Sequence, residues 1–145
     1  GYPYWSVSSD DGQNWTAPKA LLDRDGGTPY LHPVSPCPMY DWKGTEAGSG
    51  YYFAMVHNTF DFSADTAWQN RGPLHLIAGT FQSAADQPIW FAPPKLFIDR
   101  PKGNSFYTSS TQVNGKCVLW YNDKKYYLLG KVIDDSWFEG ILPIT

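Results

Sequence analysis

The chain has 145 residues, a length that reads as one domain. Lys and Arg number 11 against 14 Asp and Glu, a net charge of −3, so no basic stripe exists to displace counterions from a nucleic acid. Aromatic residues make up 17% of the chain, too many for a disordered one, and no apolar run reaches the ~20 residues of a membrane-spanning helix.

Short runs rich in Val, Ile, Tyr, Phe and Trp, separated by turn signals, predict strands over 2–8, 33–40, 51–57, 73–81, 89–98, 105–113, 116–121 and 125–133. Asp10-Asp11-Gly12 closes the first run, and Asn114-Gly115 is a two-residue hairpin signal. Only 63–68 suggests a helical turn, so the expected class is all-β. The longest connections, 23–32 and 59–72, are where loops on a sheet scaffold would carry a site. Cys37 and Cys117 fit either a disulfide or two buried thiols, and no Cys or His spacing suits a metal, so no metal or other cofactor is expected. No segment with a basic end and an apolar middle opens the chain, which is expected to follow a processing event or to be part of something longer.

An internal repeat organises these runs. Trp15-Thr16-Ala17-Pro18-Lys19 returns as Trp90-Phe91-Ala92-Pro93-Pro94-Lys95, and Asp134-Asp135-Ser136-Trp137 is a weaker third copy. Four-stranded antiparallel units that end in a Trp turn read as β-propeller blades. The division is a half blade over 1–23 and blades over 24–98 and 99–145, about two and a half in all. Propellers close with about four to eight blades, so the expected partners are missing blades, the chain being a C-terminal fragment, or further copies of itself.

The most specific motif is Ser8-Ser9-Asp10-Asp11-Gly12-Gln13-Asn14-Trp15, which fits Ser-x-Asp-x-Gly-x-x-Trp. Ser8 and Asp10 are expected to satisfy turn amides, Gly12 to take a positive φ, and Trp15 to pack back into the blade. This is the Asp-box, or BNR repeat, of sialidases, and on it the chain resembles part of a sialidase-superfamily propeller. The stretches 32–38, 56–58, 87–91, 118–121 and 128–131 are similar to uncharacterised bacterial sialidase-like proteins. The resemblance implies an exo-acting glycoside hydrolase, secreted or periplasmic, with a glycan as substrate. The alternatives are a carbohydrate-binding propeller that does not cleave its ligand and a structural assembly module.

Sialidases hold a substrate carboxylate with three arginines, attack with a Tyr activated by a Glu, and use an Asp as acid/base. The segment 105–110 with Asn114-Gly115 resembles the one that carries this Tyr. It nominates Tyr107, one residue out of register, since Phe106 occupies the family's position. The three arginines are Arg24, Arg71 and Arg100; Arg71 and Arg100 suit a carboxylate contact, while Arg24 between Asp23 and Asp25 suits a local ion pair. His57 and Asn58 close an apolar run before a loop containing Asp61, a setting for acid/base and ligand-holding roles. His32 is a further candidate contact, and His75 reads as structural. Glu46 and Glu139 are the only glutamates, so a carboxylate pair would draw on Asp61, Asp25 or Asp99. Trp42, Trp68 and Trp90 are possible sugar-stacking platforms; the repeat register of Trp15, Trp90 and Trp137 also suits blade core.

Overall fold

A computed structural model describes residues 2–32, 35–42, 51–57, 73–99, 107–114, 116–123 and 126–138, with the backbone alone at 51–55, 57 and 135. Among them the chain is all-β, with strands in three antiparallel sheets and one short 3₁₀ turn. The first sheet pairs β1 (Tyr4–Trp5) with β2 (Lys19–Ala20). The second runs β3 (Met39–Asp41), β4 (Tyr51–His57), β5 (Leu74–Phe81) and β6 (Ile89–Phe91), and β7 (Lys95–Ile98) also pairs with β5. The third orders β10 (Tyr127–Ile133), β9 (Lys116–Asp123) and β8 (Thr108–Val113), followed by the 3₁₀ turn Asp135–Phe138. No helix among the described residues is long and apolar enough to cross a membrane.

The expected run 89–98 divides into β6 and β7, because Pro93 and Pro94 have no N–H to give to a ladder. Pairing with β5 persists up to Ala92, whose N–H donates to the Ala78 carbonyl at 2.8 Å, and resumes at Lys95 opposite Leu76. The register then slips between Leu74 and His75, so that Phe97 has no counterpart on β5 and turns into the core. On the outer side of β6, the Phe91 N–H donates to the Asp23 carbonyl at 2.7 Å, and the Gln87 side-chain amide donates to the Ile89 carbonyl at 2.7 Å.

The central strand β5 is buried on both faces. Leu74 and Leu76 alternate with Ile77 along β5, as the two-residue period of a strand requires. One face joins Trp42 and Phe97 to Cys117, Leu119 and Ile133 of the third sheet. The other joins Ile77, Val56 and Phe91 to Tyr30, with Leu21 and Cys37 packed alongside. The two cysteines are thiols in different clusters and are not bridged to each other, so the disulfide alternative does not hold. Between the second and third sheets, the Tyr40 hydroxyl meets the Thr108 hydroxyl at 2.9 Å. At the outer side, Lys95 and Lys131 sit 4.9 and 4.8 Å from the Trp137 ring centroid, and Lys95 Nζ donates to the Trp137 carbonyl.

The first expected strand, 2–8, shortens to Tyr4–Trp5; beyond it one backbone bond, from the Thr16 N–H to the Val7 carbonyl at 2.9 Å, is joined by side-chain bonds. The Ser6 hydroxyl donates to the Thr16 carbonyl at 2.6 Å, and the Val7 N–H donates to the Thr16 hydroxyl at 3.0 Å. In the turn beyond, Ser8 Oγ accepts from the Gly12 N–H at 2.8 Å, and Asp10 Oδ1 accepts from the Asn14 N–H at 2.9 Å. Gly12 has φ +84°, and Asp11 before it has +54°, an αL residue the sequence reading did not anticipate. Trp15 departs from expectation. Its indole N–H bonds the Gly12 carbonyl at 3.0 Å, so the ring folds over the turn and stays 63% exposed.

Candidate functional site

Antiparallel pairing brings the end of β4, the starts of β3 and β5 and the end of β7 to one end of the second sheet. Farther along the sheet Tyr40, which lies opposite Phe53 and so four strand residues from His57, contacts Thr108 at the start of β8, where β9 finishes and β10 begins. The backbone of His57 closes β4 opposite Leu74, and Tyr107 immediately precedes β8. Tyr107 is 54% exposed and is held by its N–H, which donates to Asn122 Oδ1 at 3.0 Å. Next to it are Asp123, closing β9, and Tyr126 and Tyr127, which are 83% and 67% exposed. The turn between them is fixed by the Tyr126 N–H donating to the Asp123 carbonyl at 3.0 Å.

Asp99 follows β7 at the His57 end of the second sheet, because Ile98 lies opposite Leu74. Tyr40 is half-buried; desolvation raises its pKa, so its hydroxyl stays protonated while it bonds Thr108. The start of β8 and the turn from β9 to β10 thus offer phenol rings, the Asn122 amide and the Asp123 carboxylate, one oxygen of which is buried. Such a surface can stack against the C–H face of a sugar ring and bond its hydroxyls.

Not every expected site residue comes here. Trp90 lies opposite Thr80, six strand residues from the Leu74–His57 pair, which is roughly 20 Å along the sheet. Its indole N–H is buried and has no hydrogen-bond partner among the described residues. His32 is only 6% exposed, and its Nε2 lies 3.0 Å from the Ser35 carbonyl, which leaves little of the ring for a ligand. Burial lowers its pKa and outweighs the Ser35 contact, so the ring is neutral at pH 7. Asp25 is also committed elsewhere. Its two oxygens accept from the Asp86 and Gln87 N–H groups, each at 2.9 Å. Asn58, Asp61, Trp68, Arg71 and Arg100, with Glu46 and Glu139, lie outside the described residues, as does the His57 side chain.

Sequence reasoning missed Asn122, Asp123, Tyr126 and Tyr127, although the Tyr pair stands at the start of a predicted strand, a position from which loops project. No three His, Cys, Asp or Glu side chains gather into a possible metal cage among the described residues. No protein-family model, curated protein or solved structure matches the chain.

Proposed function

We propose that the chain forms consecutive blades of a sialidase-like β-propeller and takes part in exo-acting hydrolysis of glycans. One observation carries the reading: an Asp-box sequence folds as a side-chain-tied turn joining two antiparallel strands, ahead of two further antiparallel sheets in chain order. The burial of both faces of β5 and the Tyr40–Thr108 contact between sheets support blade-on-blade stacking.

In this reading Tyr107 is the nucleophile, and Asp61 with His57 exchanges protons with the leaving oxygen and the incoming water. Arg71 and Arg100 hold an acidic substituent by paired N–H contacts, and Asn58 and Trp68 line the sugar. The fold alone does not imply this chemistry; the resemblance supplies it. The expected result is fluorophore release from 4-methylumbelliferyl N-acetylneuraminic acid or a neutral counterpart. Both Arg71→Ala and Tyr107→Phe should lower kcat/KM at least tenfold; wild-type turnover in either variant removes that residue from the site.

A second reading is glycan binding without cleavage, favoured by the consumption of both Asp25 oxygens by backbone amides. Saturable glycan binding with no product over days supports it over hydrolysis.

A further inference from the structure

Between the loop that follows β2 and the β6–β7 segment, a cleft of about 390 Å³ opens, lined by none of the Tyr107 turn. That volume falls within the ~300–1,000 Å³ of small-ligand sites. Its floor is Tyr30 and Phe91, buried rings in edge-to-face contact at 5.9 Å, and Pro93 and Pro94 give one wall an exposed apolar surface. The polar rim is Asp23, Arg24 and Thr28.

The rim is arranged in advance of any ligand. Asp23 Oδ1 accepts from the Thr28 N–H at 2.6 Å and the Arg24 N–H at 3.0 Å, which fixes the carboxylate and leaves Oδ2 facing outward toward Arg24. Arg24 Nε is 3.9 Å from that Oδ2, too far for a hydrogen bond, and its side chain is 57% exposed. A carboxylate acceptor and guanidinium donors therefore stand side by side above an apolar floor. The Tyr30 hydroxyl is turned inward to the Ala92 carbonyl; burial and the Asp23 charge both raise its pKa, so it remains a neutral part of the floor.

We propose that this cleft binds one neutral pyranose unit of a glycan. Adjacent ring hydroxyls give a donor to Asp23 and an acceptor to Arg24, while the C–H face rests on Pro93 and Pro94. Asp23 offsets the Arg24 charge, so the rim holds no net positive charge that would favour an acidic sugar, which separates this cleft from a carboxylate-binding site. The inference does not require that the protein hydrolyse anything.

The test is a titration of the ¹⁵N-labelled protein with the methyl glycosides of glucose, galactose and mannose, and separately with N-acetylneuraminic acid. The expected result is saturable millimolar binding of at least one neutral glycoside, with the largest amide shifts at Thr28, Tyr30 and Phe91. Arg24→Ala, a change at an exposed side chain, should weaken it at least fivefold with the remaining spectrum intact. Asp23→Asn should weaken binding of the neutral sugar and let the acidic one bind. Unchanged affinity in Arg24→Ala, shifts confined to the Tyr107 end, or binding of the acidic sugar alone would overturn the proposal. Loss of hydrolysis in the separate fluorogenic assay leaves these readouts untouched, so the two ideas fail independently.

Discussion

Asp10 shows how one side chain can hold a turn without burial. The Asn14 N–H, the Asn14 side-chain amide and the Ser8 hydroxyl all donate to its carboxylate, and its pKa is pulled down from 3.8 to about 2, the Asn14 backbone contact being the largest cause. The folded value lies below that of the unfolded chain. The stabilisation is therefore complete above about pH 4 and disappears as pH falls through 2. In an NMR titration, the Asn14 amide should shift with a midpoint near 2; a midpoint near 4 would mean that the turn does not hold the carboxylate. Gln87 is the buried counterpart. Its side chain accepts from the Leu22 N–H and donates to the Leu22 and Ile89 carbonyls, which stitches the first sheet's exit to the entry of β6.

At the scale of elements, β7 links two sheets through one irregularity. The bulge turns Phe97 into the cluster that holds Leu119 and Ile133, and the ring meets Tyr121 and Trp137 edge-on at 5.8 and 5.5 Å. Truncation opens a cavity that the paired sheets cannot close, so Phe97→Ala should cost about 3–5 kcal/mol in urea unfolding. Exposed Leu96 next to it should tolerate Ala within about 0.5 kcal/mol, and equal costs at the two positions would refute the bulge assignment.

For the whole molecule, the two thiols make a simple test. Cys117 is fully buried, and desolvation raises both thiols, Cys37 to about 11. A thiol reagent should react slowly with the native chain and titrate two thiols once it is unfolded; fewer than two after unfolding without reductant would indicate a disulfide. The all-β class and most strand positions were legible because alternating apolar residues and turn residues report directly on a half-buried sheet. Asn114-Gly115 was legible as a hairpin, and Val113 does stand opposite Lys116. Lys19–Ala20 was not, since two residues carry no period and their pairing depends on the turn before them. Trp15 was misread because its spacing from Gly12 serves an indole N–H bond rather than burial. Of the site, Tyr107 and the closing position of His57 could be read from strand ends, whereas Asp25 could not. Its carboxylate is claimed by amides 61 and 62 residues away, a tertiary contact with no local signal.

The outer border of the second sheet has a colloidal consequence. A strand from another molecule could add there only by bonding outward-facing backbone groups. The Ile89 carbonyl is already taken by Gln87 and the Phe91 N–H by Asp23, and Pro93 and Pro94 have no N–H to offer. This border is capped against fibril-like growth at the stretch where its residues are most apolar.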